Sequence, residues 1–180
     1  LPKNAKLGTS SVRRKAFILS ERPDLNISIL RGNINTRINK YNSGKFDGIV
    51  LAQAGVERLN LKTKYAEFDE SIMLPSAGQG AIAVQCRSNN KQILELIRSL
   101  NHEQTKYETF AERSFVFNLN GTCSSPIGAS AKISNEILEL YGALASPDGA
   151  LITKNNISGF YKDAEKLGKD LAIKIINQMK

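Results

Sequence analysis

Two fold classes meet in this sequence: an α/β part with a parallel sheet, then a small α+β part made of a three-stranded sheet and helices. Three observations predict this. A strand-then-helix pattern repeats three times before Leu61, the character changes at Leu74, and three strand-like runs after Pro126 lead into one amphipathic helix. Strand and helix in alternation imply parallel strands joined by crossover helices.

The elements follow in order. "AKLGTSS" is a short strand ending in Gly8, and the next helix, capped by Ser10 or Ser11, runs through Val12, Ala16 and Leu19 until Pro23 stops it. "LNISILRG" alternates Leu25, Ile27 and Ile29 as a strand does, and Asn33 is placed to cap the helix "INTRINKY". "GIVLA" then reads as a buried strand and "QAGVERLN" as a short helix.

From Leu74, "LPSAGQGAIAVQCR" reads as a Gly-rich turn entering a strand with Ile82, Val84 and Cys86 on one face, so Cys86 is packing. The helix "NKQILELIRSLN" follows. A second helix, "EQTKYETFAERSFVFNL", carries Tyr107, Phe110, Ala111, Ser114 and Phe117 as a core stripe, with Gly121 placed to end it. The meander is "IGASAKI", "ILELYGALA" and "ALITKNNIS", turning at "SNE" and "SPDG". The last helix starts near Lys162 and puts Ala164, Leu167, Leu171, Ile175 and Met179 on one face.

Composition bounds the function. The chain has 180 residues, 41% of them hydrophobic, and 25 basic against 17 acidic residues give a net charge of +8, which favours anionic partners. No apolar run is long enough to span a bilayer, and the start "LPKNAKLGTSSVRR" lacks the apolar stretch of a signal peptide, so the chain reads as cytoplasmic with reduced cysteines. The start lacks Met and enters almost at once on a strand, as a piece of something longer would. Two cysteines and one histidine, His102, lack the clustered spacing of a zinc site, so no metal is expected; His102 reads as a solvated residue at a polar helix start.

The strand-to-helix junctions carry the chemistry. In open α/β sheets, ligands bind beyond the carboxyl ends of strands, where helix N-termini attract anions. The first junction holds Thr9, Ser10, Ser11, Arg13 and Arg14, the second Arg31 and Arg37, and the third Arg58. Arginines in first turns oppose the helix dipole, and a ligand with several separated carboxylates reconciles them. Solvation or pairing with Glu21, Asp47 or Glu57 explains any one arginine, but not all of them at three junctions. "LGTSS" matches neither the GxxxxGK[ST] phosphate loop nor the GxGxxG fingerprint. Cys123, in "NLNGTCSSPIG", follows a helix end whose carbonyls raise a thiol pKa, so it suits a covalent anchor better than an activated nucleophile.

Six stretches in order, "GTSSVRR", "LRGNINTR", "LAQAGVERL", "LPSAGQGAIAVQCR", "AERSF" and "GTCSSPIGA", resemble the porphobilinogen deaminase (hydroxymethylbilane synthase) family, over the C-terminal larger part of that family's length. The resemblance implies a transferase of haem biosynthesis that joins four porphobilinogens into a linear tetrapyrrole on a dipyrromethane cofactor, held by a thioether to Cys123. It implies that Thr9, Ser11, Arg13, Arg14, Arg31, Arg37 and Arg58 hold cofactor and substrate carboxylates, with Gln79 and Gly80 lining the same cleft. It further implies a periplasmic-binding-protein-like second domain over residues 1–77, a crossover at 78–98 returning to a missing first domain, and a C-terminal α+β domain over 99–180. The family's catalytic aspartate lies in the missing region, so no residue here is assigned a catalytic role. The family is monomeric, but the strand "GAIAVQC", left without its sheet, would invite association. Thr122 stands where the family has a second glycine, and a β-branched residue is strained there if φ is positive.

Two other readings compete. A non-catalytic module binding polycarboxylates or tetrapyrroles fits the arginines without the anchor chemistry. Nucleic-acid binding rests on the charge alone, with 7% aromatic residues and no recognised motif, and is set aside.

Overall fold

The structure, a computed structural model, describes residues 1–60, 65–122 and 124–179. They form two compact units. The first comprises Leu1–Met73, residues 124–126 and Leu144–Ile152; the second comprises Leu74–Thr122, Ile127–Ala143 and Thr153 onward. The elements in chain order are β1 (Lys6–Gly8), α1 (Val12–Glu21), β2 (Asn26–Ser28), α2 (Ile34–Asn42), β3 (Gly48–Ile49), α3 (Gln53–Arg58), α4 (Lys91–Arg98), α5 (Glu103–Asn118), β4 (Ile127–Ser134), β5 (Ile137–Ala145), β6 (Ile152–Phe160) and α6 (Ala164–Gln178). Mixed helices and two three-stranded sheets make an α/β architecture.

In the first unit β1 is the middle strand, order β2-β1-β3, and both pairings are parallel, with Leu7 opposite Ile27 on one side and Gly48 on the other. Its core gathers Ala5, Leu7, Ile18, Leu25 and Val50, with Ile27 and Met73 packed against them. Of the two serines, Ser11 is the cap of α1, accepting from Arg14 N–H at 3.3 Å, while the Ser10 hydroxyl donates to the Leu30 carbonyl. Asn33 caps α2 through Thr36 N–H at 2.9 Å. The alternation expected through Ile29 stops early: β2 ends at Ser28, so Ile29 is 70% exposed and Leu30 turns inward at 1%. Gly149, at φ +76 in the "SPDG" turn, lies so close to α1 that a Cβ would sit 2.4 Å from the Ala16 carbonyl oxygen.

At the chain start, Arg22 pairs with Asp24 at 2.6 Å and donates to the Leu1 and Pro2 carbonyls, while Asp24 accepts from Asn4 N–H. The hydrogen bond from Arg22 holds the Asp24 carboxyl well below the usual carboxylate range.

In the second unit the sheet order is β4-β5-β6. Asn135 and Glu136 join β4 to β5 with φ of 49° and 65°, the paired positive values of a type I′ hairpin turn, which makes these two strands antiparallel. β5 alternates cleanly, burying Leu138, Leu140 and Gly142. The outer strand β4 is guarded along its free edge: Ala129 N–H donates to the Pro75 carbonyl at 2.9 Å, Ala131 N–H to Glu112 at 2.8 Å and Ile133 N–H to Glu108 at 3.0 Å. Four helical residues rise about 6 Å and two strand residues about 6.8 Å, so glutamates at i and i+4 match alternate strand donors. α5 and α6 meet at Gly168, where an added Cβ would lie 2.4 Å from the Ala111 carbonyl oxygen.

That crossing resets the stripe expected on α5. Ala111, Glu112 and Phe115 are buried, whereas Phe110 is 39% and Phe117 80% exposed, and Tyr107 stacks edge-on with Tyr161. On α6, Ala164, Leu167, Leu171 and Ile175 are buried as expected, but Met179 lies past the helix end and is exposed. α5 ends without needing a left-handed glycine: Asn120 takes φ 52, its N–H bonds the Phe117 carbonyl, and Gly121 N–H bonds that of Val116, a Schellman closure. The strand expected at "GAIAVQC" does not form. Residues 81–87 have no strand partner among the described residues, and Ile82 is 93% exposed, because alternation supplies a face but not the neighbouring backbone a strand needs.

Gly168→Ala is expected to lower stability by about 2–3 kcal/mol, read from the urea midpoint, because backbone rather than a flexible side chain meets the new methyl group. A midpoint unchanged within error would contradict this packing. The depressed Asp24 pKa contributes stability that is present above its unfolded value near 3.8 and is lost as pH falls below it. Asp24→Asn should therefore flatten the pH dependence of the melting temperature below pH 5.

Candidate functional site

Parallel pairing brings the carboxyl ends of β1, β2 and β3 to one edge of the first sheet, so the segments after them are neighbours. After β1, Thr9 is 5% exposed; its N–H continues the ladder to the Ser28 carbonyl and its hydroxyl oxygen accepts from Ser11 N–H at 3.2 Å. Arg13 and Arg14 follow in the first turn of α1, which contains no acid.

Arg13 is 7% exposed. Burial, then the neighbouring charge of Arg14, pushes its guanidinium down to about 10. Arg14 is lowered too, first by burial and then by Arg37, and its Nη1 donates to the Val50 carbonyl, the residue just after β3, at 3.2 Å. The structure thus brings Thr9, Ser11, Arg13, Arg14 and Arg37 together as a dense cationic corner.

The loop after β2 is pinned by α2. Arg37 Nε donates to the Gly32 carbonyl at 2.7 Å and Lys40 Nζ to the Arg31 carbonyl at 3.0 Å, fixing the backbone from which the exposed Arg31 side chain extends. Gly32 has φ +119, and a Cβ there would meet Thr36 at 2.7 Å. Sequence reasoning missed Lys40; its spacing of nine residues from Arg31 carries no signal without the turn between them.

Arg58 is placed differently from the expectation. It sits in the last turn of α3, where a cation suits the helix dipole, so local helix instability gives no reason to assign it an anion. Gln79 and Gly80 belong to the second unit, in a turn with Gly78 at φ +72 and Gly80 at φ +95. Cys123 lies outside the described residues. Its neighbour Thr122 is exposed and is not among the described residues with positive φ, that conformation being taken by Asn120.

His102 is more than a solvated residue: its Nδ1 accepts from Thr105 N–H at 3.3 Å and caps α5. No three acid, His or Cys side chains cluster as a metal site, and no helix is long and apolar enough to cross a membrane, among the described residues.

The strand ends of the parallel α/β unit thus gather one buried arginine, Arg13, and one half-buried arginine, Arg14, an arrangement chemically suited to anions. Residues 1–95 match the family description "Porphobilinogen deaminase, dipyromethane cofactor binding domain", and residues 106–177 match "Porphobilinogen deaminase, C-terminal domain". The chain belongs to the porphobilinogen deaminase family. It is 44% identical over 179 residues to a porphobilinogen deaminase of Campylobacter curvus, covering 98% of this chain and 57% of that protein. Likewise it is 42% identical to one of Clostridium novyi (99% and 61%) and 43% to one of Chlorobium chlorochromatii (99% and 58%). The chain spans about three fifths of the length of these relatives.

Proposed function

We propose that this chain supplies the cofactor-holding part of a hydroxymethylbilane synthase, the activity that joins four porphobilinogen units into a linear tetrapyrrole in haem biosynthesis. The observation that carries the reading is the cationic corner of Arg13, Arg14 and Arg37. Burial and neighbouring positive charge disfavour the charged forms of Arg13 and Arg14, and each pyrrole unit carries an acetate and a propionate that would offset that charge. The residues present therefore fit dipyrromethane. Arg13, Arg14 and Arg37 would hold its carboxylates with Thr9 and Ser11, Arg31 would meet the incoming unit, and Cys123 would carry the thioether. Bound there, the cofactor supplies the pyrrole end onto which units are joined.

In this reading the first unit is one wall of a periplasmic-binding-protein-like cleft, and Gln79 and Gly80 line it. The domain limits are then 1–77, 78–98 and 99–180. The arginines orient carboxylates and lower the cost of gathering negative charge. Proton transfer needs a positioned acid, and the sequence motifs assign none to this chain, so turnover is expected only with the family's N-terminal region.

Intact-mass spectrometry of the chain from a haem-making cell should show the added mass of two condensed pyrrole units, lost in Cys123→Ser. An unmodified thiol would contradict the anchor. Arg14→Ala should weaken porphobilinogen binding by roughly tenfold or more, as expected for a charge-assisted contact. Binding with no covalent addition would instead favour a polycarboxylate-binding module.

A further inference from the structure

Glu112 is 9% exposed, and its carboxylate joins two segments far apart in sequence. Oε2 accepts from Gly78 N–H at 2.6 Å and Oε1 from Ala131 N–H at 2.8 Å. Guarding the β4 edge needs only the second of these contacts. The first reaches 34 residues back into the "SAGQG" turn, and it is the shorter.

Within the turn, Ala81 N–H bonds the Gly78 carbonyl at 3.2 Å. Gly78 and Gly80 both take left-handed conformations, which a flexible chain leaves readily. Pro75 is tied to Ala129, and Gln79 N–H bonds the Ser76 carbonyl at 3.0 Å. The Gln79 side-chain oxygen accepts from the Ser76 hydroxyl at 3.0 Å and faces Ser76 N–H at 3.4 Å. A backbone N–H can only donate, so the amide oxygen faces Ser76 and the NH2, with its two donors, faces away. Gln79 is thus preset as a donor, and Glu112 holds the next residue back in the chain.

We propose that Glu112 is the positioning residue of the Ser76–Gly80 turn, fixing it to α5 and β4 so that the Gln79 amide is offered to a ligand carboxylate. The ligand part rests on the function proposed above. The rigid side is α5, locked to α6 through Gly168 and through the Ser114 hydroxyl donating to the Glu165 carbonyl at 2.6 Å. A buried carboxylate with a main-chain donor on each oxygen is held firmly, since releasing either forfeits a charge-assisted hydrogen bond.

The test uses the full chain, with amide hydrogen exchange and porphobilinogen binding read together. In the parent, Gly78 N–H should exchange more slowly than an unprotected glycine. In Glu112→Gln, Gly78 exchange should rise by roughly tenfold while Phe115, in the core, is unchanged, and porphobilinogen affinity should fall by roughly tenfold, as in Gln79→Leu. Glu108→Gln, which perturbs the contacts with Ile133 N–H and Gln104 but none with the turn, should leave both readings at parent values. Unprotected Gly78 in the parent, or Glu112→Gln with parent-like exchange and affinity, overturns the proposal. If Glu112→Gln does not fold, parent Gly78 exchange and Gln79→Leu decide it. If the parent binds no porphobilinogen, the proposed function and the ligand role fall together, and Gly78 protection alone decides whether Glu112 holds the turn.

Discussion

Parallel pairing of β1 with a strand on each side is the constraint on which the first unit depends. It forces the chain to leave every strand at the same edge, so Thr9, Arg14, Arg31 and Val50 are neighbours although up to 41 residues separate them. A hairpin would scatter them to opposite ends. The short strands, two or three residues each, make the sheet itself a weak scaffold. Its stability comes from the buried face of Leu7, Ile18, Leu25 and Val50, and from caps such as Ser11 and Asn33.

The second unit solves a different problem, an outer strand with unpaired donors. Glu108 and Glu112, one helical turn apart, occupy two of the N–H groups on the β4 edge and the Pro75 carbonyl a third. A helix thereby covers an edge that would otherwise recruit another chain. The close approach at Gly168 fixes the rotation of α5 against α6, and with it which glutamates face β4.

Electrostatics in the first unit work against stability and toward binding. Burial of Arg13, with Arg14 and Arg37 nearby, disfavours the charged forms, and under the proposed function a polycarboxylate reverses the sign of that balance. The cost is borne by the fold in the absence of ligand. Sites that bind anions tightly commonly carry such a cost, since preformed charge needs no rearrangement when the ligand arrives.

By itself the sequence determined the alternation of strand and helix, a cap at Ser10 or Ser11 and one at Asn33, the turn at "SNE", and the junctions where Thr9, Arg13, Arg14, Arg31 and Arg37 stand. These are local signals: capping geometry, period and turn chemistry act within a few residues. Tertiary structure alone decided which face of α5 is core, because Gly168 and α6 set it. It also decided that "GAIAVQC" is not a strand among the described residues, and that Glu112 and Lys40 matter. Each of these depends on a partner distant in sequence, and neither period nor motif spacing records a partner's position.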